Sequence, residues 1–138
     1  MTSLNAIETW ISATLLAASD VTDIVGNRVY LDFAPSSVEV YPYLIIQNQT
    51  ATEVRGVGTA SIMADTIYIV KGVTQGAFTS LDALVTAMDA ALISASGGTT
   101  SYGDVFTCVK EQPFRLAQNE SGKTYRYLGS QYRIHAQP

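Results

Sequence analysis

Few side chains in this sequence have the types and spacing that catalysis requires. The only histidine, His135, stands near the C-terminal end, where chains usually fray, so a Ser-His-Asp or Cys-His site would depend on a poorly held base. The only cysteine, Cys108, lies in an apolar run and is expected to be a buried, inert thiol. No catalytic residue is predicted, and we expect that the chain is not an enzyme.

The sequence also offers little for a metal ion or a cofactor. There is no His/Cys cluster, and Asp20 with Asp23 is explained more simply as the acidic start of a short helix. Arg55-Gly56-Val57-Gly58 contains two glycines, but neither the Lys-Ser/Thr pair of a P-loop nor a full dinucleotide fingerprint follows them. We predict a flexible hairpin tip there, and neither a metal site nor a cofactor-binding site in the chain.

Length and composition indicate one domain, residues 1–138, with a surface suited to contacts. The chain has 138 residues, of which 47% are hydrophobic, enough to bury a single core. Only 14% are charged, against roughly 25% in typical soluble proteins. Short polar side chains can be covered by neighbours at little desolvation cost. An ordinary neutral surface is the alternative interpretation.

The charges are distributed unevenly along the chain. Up to Val109 there are three basic and ten acidic side chains, a balance of −7, whereas from Lys110 onward five basic side chains face two acidic ones, a balance of +3. This asymmetry suits contact between copies or with a partner. A pI near 4.7 argues against tight binding of duplex DNA, which requires many cations. A solvated basic hairpin would give the same pattern.

The N-terminal end has no recognisable targeting signal. The start Met1-Thr2-Ser3-Leu4-Asn5 lacks a basic segment, and no apolar run approaches the ~20 residues that cross a bilayer. We therefore expect a protein that is made in a cytoplasm and has no membrane partner.

Apolar spacing and turn residues predict the elements that must position any functional side chain. An α+β fold is expected, with two helices packed on one face of a mainly antiparallel β-sheet and a C-terminal β-hairpin. The predicted helices are Leu4 to Ala18 and the segment around Leu81 to Leu92, with a short turn over Asp20 to Val25 that Gly26 ends. The predicted strands are Arg28 to Leu31, Tyr43 to Thr50, Thr59 to Lys71, Val105 to Glu111, Phe114 to Ala117 and Thr124 to His135, with a loop over Phe33 to Val40, a break at Ala51 to Gly58 and a bulge at Gly129.

Several short segments, in this order, carry a resemblance to a known family. They are Gly26-Asn27-Arg28-Val29-Tyr30, Ala34-Pro35, Pro42-Tyr43-Leu44-Ile45 and, after a long strand and a helix, Tyr132-Arg133-Ile134. In this order the chain resembles the tail terminator or tail completion proteins of long-tailed bacteriophages and related gene transfer particles. The resemblance covers nearly the whole sequence.

The resemblance implies a structural virion protein without catalytic activity. Such a protein forms a ring, typically of six copies, at the head-proximal end of the tail tube, ends tube polymerisation and provides the head–tail joining surface. Its partners would be further copies of itself, the tail tube protein and a neck or head-completion protein, and DNA would pass through the lumen without specific binding. It would be made in the cytoplasm of a host bacterium and reside in the virion.

Tyrosine and arginine alternate near the C-terminal end, a composition that interface centres favour. We predict an interface that packs against an acidic surface, and acidic side chains around the lumen that repel DNA phosphates. Thr52 to Gly58 is predicted to be a mobile loop that docking orders. The predicted interface residues are Arg115, Lys123, Arg126, Arg133, Tyr125, Tyr127 and Arg55, and the predicted lumen residues are Asp32, Glu39, Glu53 and Asp65.

Other interpretations of these residues stay open. The tyrosines could simply pack the sheet with their hydroxyls in water, and a platform for single-stranded nucleic acid would use similar residues, although the acidic balance disfavours it. At the level of function, a neck or head-closure adaptor ring is the main alternative, and a small non-viral binding module or minor enzyme is a third class.

Overall fold

The computed structural model describes residues 2–35, 40–58, 61–95 and 97–138. Its sheet has the strand order β1-β2-β3-β6-β5-β4. The helices of the described residues are α1 (Thr2–Ala17), α2 (Ser19–Val25) and α3 (Asp82–Ala95), with a 3-10 helix at Phe78–Leu81. The strands are β1 (Val29–Leu31), β2 (Tyr43–Arg55), β3 (Ser61–Thr74), β4 (Gly98–Thr100), β5 (Gly103–Glu120) and β6 (Lys123–Gln137).

The predicted fold class is wrong. Strands make up 51% of the structure, and the six-stranded sheet curls into a half-barrel accompanied by three α-helices rather than two. The extra helix is α2, which spans the predicted helical turn over Asp20 to Val25 and contributes the fully buried Val21 and Val25 to the core. The first strand pair, β1 with β2, is parallel, while the other neighbouring strands run antiparallel.

Two strands are much longer than their sequence pattern suggested. β5 continues through Pro113 as one strand, because a proline without an N–H is tolerated where one side of a strand has no partner. β2 continues to Arg55 through the predicted break, so Thr52–Arg55 belongs to a strand rather than to a mobile loop. The proposed loop is thereby reduced to the turn residues after Arg55. Four residues of the predicted loop Phe33 to Val40, residues 36–39, lie outside the described residues.

The main core lies between the helices and one face of the sheet. Its helical side chains follow the spacing that the sequence indicated, and its sheet side chains come from the start of β2, the middle of β3, the first half of β5 and the second half of β6. The segment Phe78–Ala95 is long and apolar enough to cross a membrane by length and composition alone, but its side chains Leu81, Leu84, Met88 and Leu92 are buried in the core. The fully buried members include Ile7, Ile11, Leu15, Leu84, Met88, Leu92, Leu44, Val70, Tyr132 and Ile134.

Polar contacts through this core fix the helices on the sheet. Asp89 of α3 accepts hydrogen bonds from Ser130 Oγ at 2.9 Å, from the Tyr132 hydroxyl and from Lys110 Nζ at 2.8 Å. In α1, Glu8 Oε2 accepts a hydrogen bond from the Tyr68 hydroxyl at 2.9 Å. Burial raises the pKa of both tyrosines well above the usual range, and their carboxylate partners add to that shift. Both hydroxyls therefore stay neutral donors.

The segments that resemble the tail terminator family in the N-terminal part of the chain connect α2 to the sheet. Arg28 donates hydrogen bonds from Nη2 to the carbonyl of Ile24 at 3.3 Å and to the carbonyl of Pro42 at 3.2 Å. Gly26 ends α2 with a positive φ of 61°, a conformation that glycine adopts readily. This pattern thus has a structural role in joining α2, β1 and the start of β2.

Gly129 does not form the predicted bulge. It pairs in regular register with Lys71 of β3 and Phe114 of β5, and the register shifts of β5 lie elsewhere, between Val105 and Thr107 and between Lys110 and Gln112. A Cβ at Gly129 would lie 2.0 Å from the carbonyl oxygen of Val70. The glycine is required by the close approach of two strands, which a single sequence does not reveal.

Candidate interaction surfaces

The sheet face opposite the helices carries an aromatic groove at one end. Tyr43, Ile45 and Val73 form a small second core there, and the side chains around it enclose a cavity of about 490 Å³. Phe33 at its rim is 79% exposed. Burial, followed by the neighbouring tyrosines, raises the pKa of Tyr43 to about 12. The groove is lined by Phe33, Ala34, Pro35, Tyr41, Tyr43, Ile45, Glu120, Ser121, Lys123, Tyr125 and Tyr127.

This groove brings together three of the predicted interface residues, namely Lys123, Tyr125 and Tyr127. Tyr125 and Tyr127 are partly buried against the second core rather than fully exposed. They therefore pack the sheet, as the alternative interpretation held, and also line an accessible surface. Lys123 is exposed at the tip of the β5–β6 hairpin.

A lysine on the same face was not predicted from the sequence. Lys71 Nζ lies 4.8 Å from the ring centroid of Tyr127 and 5.4 Å from that of Phe114, and it donates a hydrogen bond to Gln47 Oε1 at 3.2 Å. Burial lowers the pKa of Lys71. This arrangement depends on the strand register, which places Gly129 between Lys71 and Phe114. Because glycine has no side chain, the Lys71 side chain has room to reach both rings. No local sequence signal marks it.

Further along this face, a row of ionised side chains crosses three strands. Arg133 Nη1 lies 2.9 Å from Asp65 Oδ1, and its Nε lies 2.6 Å from Glu111 Oε1. His135 Nε2 lies 3.2 Å from Asp65, and Thr107 Oγ1 lies 2.8 Å from His135 Nδ1. The hydrogen bonds with Glu111 and then with Asp65 raise the pKa of the Arg133 guanidinium. Arg133, predicted for an interface, and Asp65, predicted for the lumen, thus compensate each other within one chain.

Two more arginines of the predicted interface lie beside the 3-10 helix. Arg115 lies 4.0 Å from the ring centroid of Phe78 and Arg126 lies 5.7 Å from it. Arg126 Nη1 also donates a hydrogen bond to the carbonyl of Gly76 at 3.0 Å. These contacts hold the 3-10 helix against the β5–β6 hairpin. The role of Phe78 was missed because nothing in its neighbourhood of the sequence points to an arginine partner.

The remaining predicted residues are dispersed. Arg55 lies near the tip of the β2–β3 hairpin and forms an ion pair with Glu53 at 3.1 Å, whereas Lys123 lies at the tip of the β5–β6 hairpin. The two tips lie at opposite ends of the sheet, because β3 pairs antiparallel with β6 from Ala64 to Thr74. Asp32 follows β1, and Glu39 lies outside the described residues.

The polar groups of these surfaces are mostly paired with one another. Among the described residues, no group of three or more His, Cys, Asp or Glu side chains is placed to hold a metal ion. Cys108 is 5% exposed, and burial, with a smaller effect of Asp89, raises the pKa of its thiol to about 12. Aromatic and cationic groups at the surface are the composition of protein interfaces.

Comparisons with known proteins identify the fold. A chain in a solved structure described as the virion of a native gene transfer agent (GTA) particle superposes with a TM-score of 0.75 at 16% sequence identity. The two chains share a fold. The superposition covers 96% of this chain and 97% of that chain, so the similarity extends over nearly the full length of both. No protein-family model matches the sequence, and no curated protein matches it.

Proposed function

We propose that this chain is a structural protein of a phage-like particle, located in the virion. In this proposal it forms a ring of six copies at the head-proximal end of the tail tube, ends tube polymerisation and provides the head–tail joining surface. The supporting observation is the fold shared over 96% of the chain with a component of a gene transfer agent virion. The resemblance of the sequence to tail terminator proteins points to the same class of particle.

The distribution of surfaces suits a ring subunit. Such a subunit needs two different faces that meet in neighbouring copies, and a further face toward the tube. Here the two hairpin tips lie at opposite ends of the sheet, and the acidic balance up to Val109 contrasts with the basic balance from Lys110 onward. The proposed partners are further copies of this chain, the tube protein and a neck protein, and the proposed role involves no catalysis.

The structure refines which cations are available for the proposed interface. Arg133 is engaged by Asp65 and Glu111 of its own chain, whereas Lys123 is exposed at a hairpin tip. We expect Lys123→Glu combined with Arg126→Glu to prevent assembly while the monomer stays folded with a somewhat lower thermal midpoint, since Arg126 also donates to the Gly76 carbonyl of its own chain. Arg133→Glu should instead lower the thermal midpoint of the monomer, since three carboxylates would then crowd one site.

Analytical ultracentrifugation and circular dichroism of these variants test the interface. Lys123→Gln combined with Arg126→Gln is the matched control, which removes the charges without reversing them and should weaken assembly less. Normal assembly of the charge-reversed variant would contradict the proposed interface.

Electron microscopy of particles made without this gene product tests the function itself. If this ring ends the tube, tails of uncontrolled length should form in its absence. Tails of normal length beside unattached, filled heads would instead assign the chain to the neck, as a head-closure adaptor. Particles indistinguishable from the wild type would refute both roles.

A further inference from the structure

Both edges of the sheet are only partly covered within the described residues. On one edge, β1 pairs with Leu44–Ile46 of β2, and Gln47–Arg55 has no strand on its outer side. On the other edge, β4 pairs with Gly103–Val105 of β5, and Phe106–Glu120 has no strand on its outer side. A strand without a neighbour presents unpaired N–H and C=O groups to any other strand that fits.

The two covered parts lie at opposite ends of the sheet. Through β2, the first and last residues of β1 are level with Gly72 and Val70 of β3. Through β5 and β6, Gly98 of β4 is level with Ala64 of β3. One edge therefore projects near the end of β3 and the other projects near its beginning.

Each edge of the sheet thus has a projecting strand at one end and an open recess at the other, and the two edges are complementary in shape. If two copies stand side by side with parallel sheets, direct contact of β2 with the β5 of a neighbour is blocked by β1 and by the β4 of that neighbour. When the copies are separated by one strand width, the projecting β1 fills the recess beside the neighbour's β5. The neighbour's β4 then fills the recess beside β2.

The strand directions are also compatible with this fit. Following the pairings across the sheet, β1 and β4 run in the same direction, antiparallel to β5 and parallel to β2. β1 would therefore pair antiparallel with the neighbour's β5, and the neighbour's β4 would pair parallel with β2. Both arrangements are ordinary in sheets. Pro113, which is level with Leu31, has no N–H and can only accept in such a pairing.

We propose that neighbouring copies of this chain join edge to edge, with β1 of one copy and β4 of the next lying end to end in one strand position between β2 and β5. The inference rests on the proposed ring and specifies how its copies meet. The charges agree with it where the strands would meet, because Asp32 follows β1 on one edge whereas Arg115 lies on β5 at the other. Since the two edges differ, the contact is head-to-tail and can close into a ring.

One backbone donor allows a sharp test. The Arg28 carbonyl accepts from the Leu44 N–H at 3.0 Å, and the Asp32 N–H donates to the Ile46 carbonyl at 2.8 Å. Because alternate residues of a strand direct their backbone groups to opposite sides, the N–H of Leu31 points away from β2, toward the proposed neighbour. Leu31→Pro removes this donor without removing a bond between β1 and β2. Leu31→Ala is the matched control, since it keeps the donor and loses the side chain.

Sedimentation of both variants at several concentrations gives the first readout. Loss of one hydrogen bond per contact should raise the concentration needed for half-assembly about tenfold in Leu31→Pro relative to Leu31→Ala. Circular dichroism and thermal unfolding should show the same folded monomer for both. Equal assembly of the two variants would overturn the edge contact.

Hydrogen exchange measured by mass spectrometry on the free chain and on the isolated oligomer gives a second readout, which does not depend on a variant. Peptides covering Val29–Leu31 and Phe114–Glu120 should exchange more slowly in the oligomer. A closed ring without this protection would overturn the edge contact and leave the proposed function standing. Protected but open filaments would support the contact and contradict the ring, and the absence of any oligomer, even with tail tubes present, would contradict both.

Discussion

Replacing Asp89 with alanine should be among the most destabilising single changes in the chain. The Asp89 side chain is 18% exposed, and it accepts hydrogen bonds from two fully buried hydroxyl groups, those of Ser130 and Tyr132. Without the carboxylate, both donors lose a charged acceptor, and each orphaned group costs about 1–3 kcal/mol. The ion pair with Lys110, which is 36% exposed, adds at most ~1 kcal/mol. We expect a loss of about 3–5 kcal/mol in the free energy of unfolding.

Urea unfolding followed by the fluorescence of Trp10, the single tryptophan, measures this loss. Trp10 is 5% exposed, so its emission should report the loss of the core. Asp89→Asn keeps one acceptor oxygen but faces Lys110 with an uncharged amide, and it should fall between the wild type and Asp89→Ala.

A double-mutant cycle of Asp89→Ala with Tyr132→Phe tests whether the hydroxyl that loses its acceptor causes the loss of stability. In the wild type, Tyr132→Phe should destabilise by about 1 kcal/mol, because it removes a satisfied hydrogen bond. In the Asp89→Ala background the same change should be neutral or stabilising, since it removes a buried hydroxyl that has lost its acceptor. A cost below about 1 kcal/mol for Asp89→Ala, or simple additivity in the cycle, would refute the account of α3 docking.

Two further predictions concern the sheet. Gly129→Ala should destabilise by about 3 kcal/mol or more, because its Cβ would lie 2.0 Å from the Val70 carbonyl oxygen; Gly76→Ala, whose Cβ would come no closer than 3.6 Å to its neighbours, should change stability by less than about 0.5 kcal/mol in the same urea assay. Burial raises the pKa of Cys108 from 9.0 to about 12, so its contribution is complete below pH 9 and is lost as pH rises toward 12. Unfolding free energies measured between pH 8 and 11 should therefore begin to fall near pH 9, by up to about 1.4 kcal/mol per pH unit. In Cys108→Ala the fall should begin later, as the buried tyrosines, whose pKa is also raised, start to titrate in the unfolded chain; identical curves would contradict the assignment.

The parts of the fold that the sequence predicted well are those determined by local spacing. α1 and α3 present apolar residues at helical intervals, and these same residues are buried, as Ile7, Ile11 and Leu84 illustrate. The C-terminal strand was found from its alternating pattern. The predicted C-terminal β-hairpin is also present, and the structure places Ser121 and Gly122 at its tip with positive φ angles of 52° and 78°.

The misses depend on contacts between residues far apart in sequence. β5 was divided at Pro113 because the residue type disfavours a strand, and only the missing outer neighbour makes it acceptable. Lys71 was not singled out because its two rings come from β5 and β6, which pairing alone brings beside it. The ion pair between Arg133 and Asp65 was not predicted, for the same reason. The register between β3 and β6 could not be derived from either strand by itself.

The ring is proposed to be held by charged contacts at the hairpin tips and by hydrogen bonds between strand edges, and these two kinds of contact should respond differently to salt. Contacts of Lys123 and Arg126 with an acidic neighbour would lie at the surface, and at 1 M salt the screening length falls to about 3 Å. Hydrogen bonds between strand edges carry no net charge and lose little under the same conditions. A ring held mainly by its edges should therefore persist in 1 M NaCl, whereas one held mainly by the hairpin charges should dissociate.

Sedimentation at 0.1 M and 1 M NaCl distinguishes these cases, with Leu31→Pro as the comparison. If both contacts contribute, Leu31→Pro should assemble at low salt and fall apart at high salt, because only the screened charges remain to hold it. A wild-type ring that dissociates completely at 1 M NaCl would show that the strand edges contribute little to its stability, even though their shapes are complementary. Arg133 and Asp89 already have charged partners within their own chain. Any salt dependence of assembly should therefore come from the hairpin tips, and any salt-resistant assembly from the open strand edges.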